Sequence, residues 1–300
     1  MCGIAGLHLR DPALHPQLGS LLQGMLCQAA ERGTDAAGIG IYGDPGLTPP
    51  GRSTVCVLDD GSDVGPLPGL LEATAYGVVD VEVRRAGPTT VLTAVATPDA
   101  LEAAVRAVLA DAVVISRGDS LAVLKGTGDP VALATRFDLA SVTGYQGVTH
   151  TRMATESAVT PTGSHPYSVG PDQCLVHNGS FANHATIRRE LQADGVVFDS
   201  ENDTEVGARF VARQLAEGAD VEKALRLLCE RFDGFYTLLV ATRDSFAVVR
   251  DAIACKPAIV AETDAWVAVA SEYRYLAGLP GVESARIFEP EPEVVHVWQR

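Results

Sequence analysis

Met1-Cys2-Gly3-Ile4-Ala5-Gly6 opens the chain, and this stretch points to the fold and the chemistry together. Small penultimate side chains permit removal of the initiator Met, which makes Cys2 the N-terminal residue. One residue then carries both a thiol and a free α-amine. Their ordinary pKa values lie close together, about 8.5 for a thiol and about 7.7–8.0 for an α-amine. Proton transfer between them is nearly balanced at neutral pH, which suits general base catalysis. A nucleophile with its own base needs no separate His. The plainer reading is a Cys that packs as a small hydrophobe.

Outward from Cys2, Ile4 to Leu9 reads as a short strand. After a Pro-marked turn, Leu18, Leu21, Leu22, Met25, Leu26, Ala29 and Ala30 recur at helical spacing, with Gly33 as a C-terminal cap. The stretch from Thr34 to Tyr42 reads as a loop entering a Gly-containing strand, where backbones approach closely. A Gly/Pro-rich break follows, and residues 44–143 read as an insertion or small subdomain within a single 2–300 unit. Inside it, Thr97-Pro98 starts a helix, and Arg117-Gly118-Asp119-Ser120 reads as the turn of a hairpin. The second half alternates short strands, among them Cys174–His177 and Tyr236–Ala241, with two helices. One helix starts at Asp203 and the other is capped by Asp220. Many short strands with few helices predict mostly antiparallel sheets and an α+β class.

Four polar clusters accompany Cys2: Glu31 to Gly38, His150 to Ser157, Val176 to Phe181, and Asn202 to Glu205. Each has an ordinary explanation alone, as a solvated charge, an Asn-Gly turn or a helix cap. Together they meet a chemical specification. A thiol that cleaves an amide needs donors aimed at the developing oxyanion, and Asn178 with the N–H of Gly179 could supply two. Arg152 offers a planar fork for a carboxylate, with the Thr155 hydroxyl beside it. Asp203 offers a counter-charge for an ammonium. A substrate with an amide at one end and a zwitterion at the other describes glutamine.

Cys2-Gly3-Ile4, Arg32-Gly33-x-Asp35-x-x-Gly38, His150-Thr151-Arg152-x-Ala154-Thr155, His177-Asn178-Gly179 and Asp203-Thr204-Glu205 occur in the order found in class II glutamine amidotransferase domains. The chain resembles that family over nearly its whole length, apart from the long segment near residues 44–143. Arg250-Asp251-x-x-x-x-Lys256-Pro257 and Ala270-Ser271-Glu272 resemble two further stretches of it. The resemblance implies a four-layer αββα sandwich of the N-terminal nucleophile hydrolases, with the inserted α/β segment. It implies Cys2 as nucleophile with its α-amine as base, and Asn178 and Gly179 as the oxyanion hole. Arg152, Thr155 and Asp203 would hold glutamine, and Arg32 would support the Cys2 loop. His150 and His177 are read as structural hydrogen-bonding groups.

Met153 and Glu156-Ser157 depart from glucosamine-phosphate synthases, which carry an aromatic lid residue and a His-Gly pair there. The insert and the 150–157 wording are similar to stand-alone amidotransferase subunits of glutamate-synthase-like systems, such as N-methylglutamate synthase. That resemblance implies partner subunits like the flavin and iron–sulfur portions of glutamate synthase, while this chain shows no motif for either cofactor.

Composition narrows the remaining classes. The chain of 300 residues is 47% hydrophobic and 20% charged, as globular proteins are. No apolar run approaches the roughly 18 residues that a membrane span needs, and no secretory signal is legible. Six Cys without a CxxC pair argue against a zinc site or disulfide scaffold and fit a reducing cytoplasm. No metal or cofactor is therefore expected. A net charge of −15 disfavours nucleic acid and anionic membranes as partners. The expected function is glutamine hydrolysis through a Cys2 thioester, supplying ammonia to a partner synthase. An amidase for another amide and a non-catalytic assembly subunit are the alternatives.

Overall fold

The computed structural model describes residues 2–58, 63–153 and 159–300. Thr155, expected to contact substrate, lies outside them. The first half contains strands β1 (Gly3–Leu9), β2 (Ala36–Tyr42), β3 (Ser53–Leu58), β4 (Val79–Ala86), β5 (Thr89–Val95), β6 (Val113–Gly118), β7 (Leu121–Thr127) and β8 (Gln146–Arg152). Its helices are α1 (Leu18–Ala29), α2 (Leu67–Glu72), α3 (Pro98–Val108) and α4 (Pro130–Arg136). The second half contains β9 (Gln173–Phe181), then α5 (His184–Ala193), α6 (Asp203–Ala216) and α7 (Val221–Arg231) in succession. Strands β10 (Gly234–Thr242), β11 (Ser245–Arg250), β12 (Ile259–Glu262), β13 (Trp266–Ala270), β14 (Arg286–Phe288) and β15 (His296–Gln299) complete it.

A seven-stranded sheet runs β14-β12-β13-β1-β8-β2-β7, and a four-stranded sheet runs β15-β11-β10-β9. All their pairings are antiparallel. Every residue of β1 and β2 is buried, because both faces of the large sheet are covered. Helix α1 packs on β1 and β8 from one side. On the other, Leu239 and Phe246 of the smaller sheet pack against Gly6, where an added Cβ would lie 2.5 and 2.9 Å from them, and both belong to the main apolar core. The far face of the smaller sheet is covered by α6 and α7, with Phe181, Val206, Leu225, Leu228 and Val249 forming a second core. This is the four-layer αββα sandwich. Among the described residues no helix is long and apolar enough to cross a membrane.

Within the 44–143 segment, β4-β5-β3-β6 form a third sheet. Helices α2 and α3 pack on it around Val55, Val57, Leu92, Leu101 and Val105. Its other face, through Cys56, Val91 and Ile115, merges with the main core, and β7 returns the chain to the large sheet.

Three local expectations need correction, and a fourth, at Gly33, gains a second role. Arg117 to Ser120 does not close a hairpin: β6 pairs with β3 and β7 with β2, so the turn carries the chain from one sheet to another. The Asp172 carboxylate holds this corner by accepting the N–H groups of Asp119, Ser120 and Leu121. Gly33 caps the helical stretch as expected, its N–H donating to the Ala30 carbonyl at 3.2 Å. Its φ of −158° is extended, and a Cβ there would lie 2.5 Å from the Arg152 carbonyl carbon, so the glycine permits a close backbone crossing. Among the described residues the second half holds three α-helices; the added one, α5, is polar overall, with Ile187 and Leu191 as its buried apolar residues. Strand β9 continues past His177 to Phe181, which puts Asn178-Gly179 inside the strand rather than in a turn.

Candidate active site

Cys2 stands just before β1, half-buried, at the edge where β8 ends. The register pairs Gly3 with Thr151 and Ala36 with Arg152, so the start of β1, the end of β8 and the start of β2 share one edge of the large sheet. Side chains fix the entry of β1. The Gly3 N–H donates to Thr151 Oγ1 at 3.2 Å and the Ile4 N–H to Ser271 Oγ at 3.0 Å. The Cys2 carbonyl accepts twice, from Arg32 Nε at 3.1 Å and from Asn178 Nδ2 at 3.2 Å. Arg32 is itself oriented by Glu272, 2.6 Å away. The hydrogen bond from Arg32 holds the Glu272 carboxyl below its ordinary range. The Cys2 thiol lies 3.9 Å from the Met153 carbonyl. Of the other thiols, burial pushes Cys56 up to about 11 and Cys174 up to about 12, which leaves both protonated and inert.

The smaller sheet brings up the other half of the site. Asn178 and Gly179 face Thr237 and Tyr236 of β10. Gly179 has φ +140°, and a Cβ there would fall 2.0 Å from the Phe235 carbonyl oxygen. Only Gly can bring β9 this close to β10 in this conformation. A cleft of about 770 Å³ opens beside this strand, and Arg152, Gly163, Gly179, Asp203, Phe235 and Lys256 are among its walls. Arg152 is the last residue of β8, and its carbonyl accepts from the Asp35 N–H at 3.0 Å. Asp203 is the first residue of α6, capped by the Asn202 side chain. One of its oxygens accepts from the Phe181 N–H at 2.9 Å. The geometry thus brings Cys2, Arg32, Asn178, Gly179, Arg152 and Asp203 to one region, with a cation and an anion in the same cleft.

Three histidines pack behind it. His150 and His165 have ring centroids 4.0 Å apart, and His165 and His177 are 6.2 Å apart. Burial lowers His150 to about 3 and brings His165 and His177 below their ordinary value, so all three are neutral near pH 7. The bonding assigns protons. His165 Nδ1 accepts the His177 N–H at 3.3 Å, so its Nε2 carries the hydrogen and donates to Thr204 Oγ1 at 3.0 Å. Thr204 can then donate to His177 Nδ1, 2.9 Å away. Among the described residues no three His, Cys, Asp or Glu are placed to hold a metal ion.

His165, the 160–163 stretch, Phe235 and Lys125 were not singled out by sequence reasoning. A second His followed by Pro, twelve residues before His177, and a lone Lys in the apolar run Leu121–Thr127 were the only local signals for two of them.

The chain matches the family described as glutamine amidotransferase domain over residues 150–278. It is 47% identical over 307 residues to the glutamine amidotransferase-like protein GlxB of Rhizobium meliloti, covering 99% of this chain and 98% of that one. It is 30% identical over 315 residues to a putative glutamine amidotransferase of Methanothermobacter thermautotrophicus, covering 100% of both. Among solved structures, the glutamine phosphoribosylpyrophosphate amidotransferase from B. subtilis superposes with a TM-score of 0.61 at 18% identity. That superposition covers 99% of this chain, which spans 49% of the other. The chain therefore belongs to the glutamine amidotransferase family and is built on its class II, N-terminal nucleophile fold.

Proposed function

We propose that the protein hydrolyses the side-chain amide of glutamine to glutamate and ammonia through a thioester on Cys2, as the ammonia-supplying subunit of a synthase. The observation that carries this reading is the contact of the Asn178 amide with the Cys2 carbonyl at 3.2 Å. It sets Asn178-Gly179 beside the thiol-bearing residue, next to a cleft that also holds Arg152 and Asp203.

In this mechanism the initiator Met is removed and the Cys2 α-amine takes the thiol proton. The thiolate sulfur attacks the amide carbon, and the carbonyl electron pair moves onto oxygen. Asn178 Nδ2 and the Gly179 N–H stabilise that oxyanion. Its collapse breaks the C–N bond, the α-ammonium gives its proton to the leaving nitrogen, and ammonia departs. Water, deprotonated by the same amine, cleaves the thioester and yields glutamate. Arg152 holds the α-carboxylate and Asp203 the α-ammonium, with Thr155 assisting. Arg32 steadies the Cys2 carbonyl, and His150 is a neutral packing group.

The free-standing role draws support from the two relatives that this chain spans almost end to end. A partner resembling other parts of glutamate synthase is the proposed acceptor of the ammonia. Release of ammonia from glutamine, asparagine and glutaminamide, and of the amine from N-acyl amines, with and without candidate partners, tests the reading. Glutamine should be preferred by orders of magnitude, because a substrate lacking the zwitterion leaves Arg152 and Asp203 without their counter-charges. Equal turnover of a simple acyl amide would instead identify a general amidase, and no turnover under any condition a non-catalytic subunit.

A further inference from the structure

Lys125 lies in β7 behind the cleft, only 2% exposed. A Lys is almost never buried so fully without strong partners. Its Nζ donates to the Ser164 carbonyl at 2.8 Å and lies 3.4 Å from the Pro166 carbonyl. It also stands 4.8 Å from the Tyr167 ring. Asp199 and Glu205 line the same small cavity, together with Thr162 and Ser200, which also line the cleft. Burial lowers the amine to about 7, a measure of how unfavourable this location is for a cation.

The two carbonyls belong to the segment 160–166, which forms one wall of the cleft. The segment is internally tied. The Gly163 N–H donates to Thr160 Oγ1 at 3.1 Å and Ser164 Oγ to the Thr160 carbonyl at 3.0 Å. Fixing Ser164 therefore fixes Thr160 and Gly163. Gly163 rests against the Arg152 guanidinium, close enough that an added Cβ would stand 3.0 Å from Arg152 Nη1. Its carbonyl faces Asn202 Nδ2 at 3.4 Å, beside Asp203. His165, between the two anchored carbonyls, bonds both the strand of Asn178 and the start of α6.

We propose that Lys125 is a positioning residue for the glutamine pocket, holding the 160–166 segment so that its backbone orients Arg152 toward the substrate carboxylate. The proposal rests on Arg152 being the carboxylate clamp. Without the Lys125 donors, two buried carbonyls lose their partner and the wall relaxes. The carboxylate is remote from the scissile amide, so misplacing its clamp weakens binding more than chemistry. A lysine that merely stabilised the fold would leave the kinetics of the folded molecules unchanged.

Glutaminase kinetics and thermal melting of Lys125→Met, Gly163→Ala, Arg152→Ala and the Lys125→Met/Arg152→Ala pair test this. Lys125→Met should raise KM about tenfold and keep kcat within about twofold. The paired variant should have the KM of Arg152→Ala alone, since Lys125 acts through that residue. Gly163→Ala leaves Lys125 intact, presses on the guanidinium and should raise KM in the same way. A wild-type KM in Lys125→Met beside a raised KM in Arg152→Ala overturns the proposal alone, as does full multiplication of the two effects. An unchanged KM in Arg152→Ala overturns the clamp reading and the proposal with it. If Lys125→Met does not fold, Gly163→Ala, which leaves Lys125 intact, carries the test. A wild-type KM in folded Gly163→Ala then refutes the link between wall and clamp.

Discussion

Asn178 carries two amide hydrogens, and one is committed to the Cys2 carbonyl. In the proposed mechanism the second stabilises the oxyanion of the adduct on Cys2, so a single side chain both places the nucleophile and stabilises the charge it creates. A donor aimed at charge that exists only in the transition state acts on kcat. Asn178→Ala should lower kcat by about 10²–10³, roughly 3–4 kcal/mol, with little change in KM. The Cys2 carbonyl keeps its Arg32 donor in that variant, which limits collateral loss of structure. Asn178→Asp should be at least as damaging, because a carboxylate repels the oxyanion. Near-normal turnover in a melt-verified Asn178→Ala protein would remove Asn178 from the chemistry. At this scale short ordered motifs were enough to single out Cys2, Arg152, Asn178 and Asp203, which the fold brings to one region. The sequence was silent on His165 and Lys125, whose partners, Thr204 and the Ser164 carbonyl, are 39 residues away. No local pattern announces such contacts.

The longer helices were legible according to how many apolar residues they bury. Helices α1, α6 and α7 carry regular buried stripes, whereas α5 buries only Ile187, Arg188 and Leu191 and went unseen. The corner at Arg117 to Ser120 has the composition of a hairpin turn. Its path is decided by the Asp172 carboxylate, at least 51 residues further along the chain. Gly33 shows the same limit, because its position after a helix announces the cap that it makes but not the crossing with β8. An Ala there would meet backbone atoms of Arg152 at 2.5 and 2.7 Å, and backbone cannot rotate aside. Gly33→Ala should destabilise the protein by about 1–3 kcal/mol, the ordinary range for overpacking. Since the displaced atoms belong to Arg152, KM for glutamine should rise as well. Denaturant melts and kinetics on one preparation check both, and wild-type values of each would show that the crossing is looser than described.

For the whole molecule, the buried histidines set how the sandwich responds to acid. Burial lowers His8, His150, His165 and His177 from 6.5. In the unfolded chain they take up protons as pH falls through about 6.5, while the folded protein takes them up only at lower pH. The unfolded state then binds more protons, so stability falls with falling pH, by up to about 1.4 kcal/mol per pH unit for each histidine. For His150 the loss continues down to about 3. Denaturant midpoints between pH 7 and pH 5, above the main carboxylate range, should therefore drop steeply, and a flat profile would contradict the neutral histidine stack. The sandwich sets the start of β1, which bears Cys2, beside β9 and the cleft, and Cys2 as the nucleophile is the claim to test most directly. Among the described thiols Cys255 is exposed, and Cys2, Cys27 and Cys229 are partly exposed, so accessibility alone does not favour Cys2. The measurement is intact and peptide mass spectrometry after treatment with a glutamine analogue bearing a diazoketone in place of the amide. The account predicts a single adduct, on a Cys2 that is the first residue of the chain, prevented by excess glutamine and absent in Cys2→Ala. An adduct on Cys255 instead, or full glutaminase activity in protein that retains Met1, would contradict it.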